Sequence, residues 1–217
     1  EQLKVSHSNV MVHLPGDSLR VQVYMGKTLA RQGFFDLYKS SYRVAAFDWE
    51  EGRIKYDNPF EPTTKGLDYN HLSVSDIKLG VDSFEYESPK LTMRIRSCSG
   101  AEKSGLAVSS LTGPVYLDST QLRLPALSLR TPASSLDAAV DLDLNTFDSL
   151  HPGQFKVSLH GSLGKQDMMR FLTDVPLRGK TRWPNYPLQV DGVVQGNIER
   201  IRLAGVLLKL PTAFRVR

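Results

Sequence analysis

The sequence predicts an all-β protein, and three observations carry that prediction. Apolar and polar residues alternate with a period of two along much of the chain, turn-forming clusters separate the alternating runs, and a single segment carries a helical pattern. In residues 91–97, Leu91, Met93 and Ile95 fall on one face and Thr92, Arg94 and Arg96 on the other. Gln121–Arg130 pairs Leu122 with Leu124, then Leu127 with Leu129. Pro125 between the pairs has no N–H to donate, which predicts a bulge or an edge there. In residues 136–144, Leu136, Ala138, Val140, Leu142 and Leu144 alternate with Asp137, Ala139, Asp141 and Asp143. Phe155, Val157 and Leu159 alternate with Lys156, Ser158 and His160. Leu188 and Val190, then Ile198, Ile201 and Leu203, continue more loosely.

The breaks between runs read as turns. Glu50-Glu51-Gly52-Arg53 predicts a hairpin between residues 42–49 and 54–56. Residues 57–66 form a polar connection with two prolines, and residues 99–105 and 178–187 read as further loops. The helix candidate is 165–173, with Met168, Met169, Phe171 and Leu172 as its apolar side.

Such strands make a sheet that is greasy on one side, with no helical layer to cover it. It must pack on a second sheet, close into a barrel, or curl over its own apolar face and leave a lengthwise groove. Periodicity leaves all three open, the sandwich and the barrel being the commoner solutions.

At 217 residues the chain is long enough for one large β unit or two small ones, and no linker-like charge run divides it, so a single domain over 1–217 is expected. Hydrophobic residues at 41% and charged residues at 23% are those of a globular chain rather than a disordered one. No run approaches the ~18 apolar residues of a membrane span. The sequence begins at Glu1 without methionine, which reads as a processed protein or a piece of a longer one. The formal net charge is +4 with the charges interspersed, which speaks against a nucleic-acid partner. Cys98 stands alone and has no activating neighbour in sequence.

Motifs for chemistry are weak, and no catalytic residue, metal or cofactor is expected. Gly26-Lys27-Thr28 and Gly179-Lys180-Thr181 have Val21 and Asp174 where a phosphate loop needs its first glycine. Ser162 in His160-Gly-Ser-Leu-Gly164 has histidine in place of the first glycine of a nucleophile elbow, and follows a strand without a long helix after it. His7, His13, His71, His151 and His160 show no zinc-ligand spacing. Asp137, Asp141 and Asp143 share the polar face of one strand, as a solvated surface does. Trp183 and Tyr186, between prolines, suit a sugar ring or a membrane interface, and equally the anchoring of their own loop.

The phrasing of the chain carries more. Residues 47–57 (FDWEEGRIKYD) are followed by 65–79 (KGLDYNHLSVSDIKL), 102–106 (EKSGL), 127–136 (LSLRTPASSL) and 191–203 (DGVVQGNIERIRL). This order resembles the TamB/AsmA-like family of translocation and assembly proteins, in its Bacteroides-like form, over roughly residues 30–205. The resemblance implies a curled antiparallel sheet with an apolar inner groove, a β-taco. It further implies a periplasmic location in a longer chain anchored in the inner membrane, with neither the anchor nor the C-terminal partner-binding segment in this sequence. It also implies a role in moving phospholipid between the two membranes or in assembling outer-membrane proteins with an Omp85-type barrel, and no enzymatic activity. The expected partner is a phospholipid or other acyl-chain ligand. The candidate lipid-binding groove residues are the inward members of the alternating runs: Leu91, Met93, Ile95, Leu122, Leu124, Val140, Leu142, Leu144, Phe155, Val157, Leu159, Leu188 and Val190. Buried methylenes contribute about 0.8 kcal/mol each, so such walls hold an acyl chain without polar recognition. The 165–173 helix is a candidate cap for one end of the groove. The rival expectation is a closed β-sandwich or barrel that fills itself with the same leucines and serves as a binding or scaffold module.

Overall fold

The computed structural model describes residues 2–13, 20–36, 41–146, 150–171, 186–197 and 199–209. In chain order they form β1 (Gln2–His13), β2 (Arg20–Asp36), β3 (Ser41–Asp57), β4 (Ser73–Glu87), β5 (Lys90–Glu102), β6 (Ala107–Val108), β7 (Ser110–Leu117), β8 (Gln121–Arg130), β9 (Ser135–Asp143), β10 (Phe155–Leu163), α1 (Lys165–Phe171), β11 (Leu188–Gly196) and β12 (Ile201–Lys209). All the strands belong to one antiparallel sheet that is not closed into a barrel. Their spatial order follows the chain from β1 to β12, and only the short β6 stands off this path, paired with β5. A meander of this kind needs nothing but tight connections between consecutive strands. Among the described residues no helix is long and apolar enough to cross a membrane.

The strands are long and repeatedly bulged. Between Trp49 and Gly52, strand β3 carries one residue more than its partner β4, and Glu51 there adopts φ 57°. Pairing continues on both sides, Lys27 with Glu50 and Tyr24 with Arg53. The expected hairpin at 50–53 is therefore corrected: the turn-forming residues are absorbed as a bulge inside one strand. The loop expected at 99–105 shrinks likewise, because β5 remains paired to Glu102. The expected break at Pro125 is a bulge, where β8 slips against both β7 and β9. Bulges increase local twist and bend the strand that carries them. The connection after Asp57 and the helix start at Lys165 form as expected, whereas Leu172, Thr173, Gly179, Lys180, Thr181, Trp183 and Ile198 lie outside the described residues.

Full burial is concentrated at one side of the sheet. The fully buried apolar side chains among the described residues are Ala30, Val44, Trp49, Ile77, Val81, Val115 and Met168, most of them on β2–β4. The apolar residues of β8–β11 are half-buried instead. A second packed layer would bury them, and among the described residues no such layer covers the apolar face of this half of the sheet.

Candidate functional site

Residues directly opposite one another in an antiparallel ladder share a face, so the register assembles the site. One row runs Leu91–Leu117–Leu122–Leu142–Phe155, then through Gly196 to Ile201. A second contains Met93 and Val115 on β5 and β7, then Leu124–Val140–Val157–Val194–Leu203 from β8 to β12. A third joins Ile95 to Gly113 and, beyond the bulge, Leu127–Ala138–Leu159–Gly192. A fourth is Leu111–Leu129–Leu136–Gly161–Val190, with Leu163 opposite Leu188 beside it. The apolar face thus crosses every strand from β5 to β12, apart from the short β6, roughly 30 Å at ordinary strand spacing.

The β8 bulge keeps this face continuous. Leu124 and Leu127 are three positions apart, which in a regular strand puts them on opposite sides. The extra residue at Pro125–Ala126 restores the phase, and Leu124 faces Val140 while Leu127 faces Ala138. In β4, bulges at Asp76 (φ 54°) and Ser83 (φ 53°) lie between Val74 and Ile77 and between Val81 and Phe84.

The structure brings together twelve of the thirteen expected groove residues on this face; Leu144 is the exception. It lies beyond the end of β9, its N–H donating to the carbonyl of Thr120, and its side chain is exposed. The alternation to residue 144 is broken because Asp143 and Asn145 turn the chain: the Asp143 carbonyl accepts from the Thr146 N–H, and the Asn145 carbonyl from the Gly153 N–H. Leu111, Val115 and Leu117 escaped the sequence reading because Gly113 and Pro114 interrupt their run. Ile201 and Leu203, 62% and 69% exposed, extend the face to the β12 margin.

One end of the sheet is tied down by α1. The buried Asp167 carboxylate accepts from the hydroxyls of Thr131 and of Ser134 (2.6 Å) and from the Arg170 guanidinium (3.0 Å). Ser134 Oγ in turn accepts from the Gly164 N–H. At the other end of the helix, the Arg170 carbonyl accepts from the Leu67 N–H. The helix therefore joins the β8–β9 turn to the β3–β4 connection, and Met168 is buried beneath it.

Two more buried carboxylates belong to this end. Asp68 accepts from the Thr64 and Asn70 N–H groups and contacts His71 Nδ1 at 3.0 Å; the Thr64 bond leads in holding its carboxyl below the usual range. Burial works against ionising Glu102, but the hydroxyl and N–H of Ser104 and the N–H of Ser73 outweigh it and lower its value.

The opposite face is charged. Arg96 bridges Asp48 and Asp82 on β3 and β4, lying over Gly80, where a Cβ would meet its Nη2 at 2.7 Å. Asp137, His160 and Asp191 form one cross-strand row, with His160 Nδ1 3.1 Å from Asp191. Beyond them, Asp141, Asp143, Gln154, Lys156, Gln195, Asn197, Glu199, Arg200 and Arg202 line a cleft of about 790 Å³. Of these residues the sequence places only Asp141 and Asp143 together, on the polar face of one strand.

Two of the weak enzymatic candidates lie within strands. Ser162 lies inside β10, opposite Ser135 and Gln189, and not on a strand–helix elbow. Gly26–Thr28 lies inside β2, with no loop to wrap a phosphate. His7 and His13 lie in β1, and His71 is buried against Asp68. Among the described residues no group of His, Cys, Asp and Glu is arranged to hold a metal ion. Cys98 is half-buried, which pushes its thiol up and away from reactivity. Comparison with protein-family models, with curated proteins and with solved structures finds no match to the chain.

Proposed function

We propose that this protein holds phospholipid acyl chains against the apolar face of its sheet, as a groove segment of a longer periplasmic protein of the TamB/AsmA-like type. The observation that carries this reading is the apolar face that runs from β5 to β12, largely half-buried as far as β11 and exposed on β12, with no covering layer among the described residues. A packed module buries such a face completely. Here each row offers Leu, Val, Ile, Met and Phe, and an acyl chain laid across them gains about 0.8 kcal/mol per methylene removed from water. The attraction is non-directional, so a chain slides between rows without breaking a specific bond. Bulges and the positive-φ glycines 113, 161 and 196 bend the strands. Helix α1, with Met168 buried beneath it, borders the face at the β8–β9 turn, and the exposed Ile201 and Leu203 leave the β12 margin open.

In this reading the protein is not an enzyme. It passes lipid between the inner and outer membranes or guides outer-membrane proteins to an Omp85-type barrel, and it is anchored through segments outside this sequence. The test is native mass spectrometry of gently purified protein, with organic extraction of whatever travels with it. Phospholipid is expected on the wild type and lost on Leu142→Asp, with the circular dichroism spectrum unchanged. A bare wild-type mass, together with failure of fatty acid to displace an environment-sensitive apolar dye, would refute the reading and favour a packed scaffold.

A further inference from the structure

The cleft on the charged face calls for its own occupant. Across the ladder, Arg123 stands opposite Asp141, Asp141 opposite Lys156, Lys156 opposite Gln195 and Gln195 opposite Arg202. Opposite charges so placed gain ~0.2–1 kcal/mol by pairing. Yet among the described residues Asp141 and Lys156 form no ion pair, and neither do Arg200, Arg202 or Glu199. Asp143 differs, since its carboxylate accepts from the Gln154 N–H at 2.8 Å and the Gln121 amide at 3.1 Å. Asn197 Oδ1 accepts from the N–H groups of Glu199 (3.1 Å) and Arg200 (2.8 Å), which ties the backbone of those two charged residues to Asn197. The cleft therefore lines up three unpaired cations, two unpaired carboxylates and the amides of Gln154 and Gln195 around about 790 Å³.

We propose that this cleft binds a zwitterion joining a phosphate to an ammonium group, the chemistry of an ethanolamine phosphate. A lone anion satisfies Lys156, Arg200 and Arg202 but meets the carboxylates of Asp141 and Glu199; a lone amine meets the reverse. A group carrying both signs places phosphate oxygens on the cations, where charge-assisted bonds are strongest, and its ammonium on the carboxylates. On the adjacent strands β9 and β10 the two signs stand opposite one another, Asp141 against Lys156, at the ~4.8 Å spacing of the sheet, close to the separation of phosphorus and nitrogen in such a group. Its polar lining lies on the charged face, and Phe155 and Gly196, at the end of the first apolar row, complete the wall.

The test is a titration of the isotopically labelled full chain, followed by NMR, with O-phosphoethanolamine, inorganic phosphate and ethanolamine in parallel. O-phosphoethanolamine is expected to shift the amides of Lys156, Gln195 and Arg202 saturably and to bind more tightly than either fragment. Lys156→Gln with Arg202→Gln should weaken it roughly tenfold or more, the loss expected for charge-assisted bonds. Asp141→Asn should reduce its affinity to that of phosphate, and Leu142→Asp should leave it intact. Phosphatidylethanolamine vesicles that bind through the same residues identify the source as a lipid headgroup; shifts from the free compound alone identify a soluble one. Equal affinity for inorganic phosphate, or no saturable shift at these residues, overturns the proposal.

Discussion

Asp68 and Glu102 show how a buried carboxylate is kept charged in a protein with little core. Each is nearly sealed from solvent and accepts from two backbone N–H groups, Asp68 from Thr64 and Asn70 of its own connection and Glu102 from Ser104 and from Ser73 on β4, so the ionised form is the one the fold selects. Both values are lowered, and the sign of the pH dependence follows. Their stabilisation is complete above the ordinary carboxylate value of about 4 and is lost as the pH falls through their lowered values. Thermal melts are expected to be flat from about pH 7 to 5 and to fall steeply below about pH 4. Asp68→Asn and Glu102→Gln should each lower the neutral-pH melting temperature and flatten the acid slope. An acid slope unchanged in both variants would assign the effect to other groups.

At the scale of the element, bulges and bends decide which side chains share a face. Gly161 sits in the fourth apolar row at φ 142°, and a Cβ there would stand 2.1 Å from the Ser135 carbonyl oxygen. The β9–β10 ladder cannot widen at that point without losing its hydrogen bonds. Gly205, at the bulge in β12, has φ 61° with nothing near the position of a Cβ. Gly205→Ala is therefore expected to cost only the left-handed backbone strain, about 1–2 kcal/mol. Gly161→Ala adds a backbone clash and should cost roughly 2–4 kcal/mol. Urea denaturation of the two variants checks the order, and equal losses would mean that the β9–β10 pairing yields more easily than its geometry implies.

Across the whole molecule, each strand leans chiefly on its two neighbours, so stability is distributed along the sheet as in a one-dimensional array. Val44, Trp49, Ile77 and Val81 are buried on β3 and β4, whereas Ile201 and Leu203 on β12 are exposed. Amide hydrogen exchange should accordingly be slowest in β3–β5 and quicken stepwise toward β12, with β12 opening at the lowest free energy. Uniform protection across the sheet would contradict this and indicate one cooperative core. The ties of α1 to Thr131, Ser134 and Leu67 predict that the β8–β9 turn and the β3–β4 connection exchange together.

The sequence by itself determined the all-β class, the apolar and polar sides of β8, β9 and β10, the irregularity at Pro125 that the register shows to be a bulge, and the helix start at Lys165. Each is local: a period-two alternation, a missing N–H or a run of apolar residues acts within a few positions of itself. Only the tertiary structure decided that residues 50–53 continue a strand rather than reverse it, because the neighbours β2 and β4 pair through the bulge. It alone showed that the sheet stays open, that Leu144 leaves the face its alternation assigned it, and that α1 reaches Leu67. It also gathered Asp141, Lys156, Glu199, Arg200 and Arg202 around one cleft. Those residues come from separate strands and the turn that follows them. Their meeting depends on ladder register, which no single stretch of sequence contains.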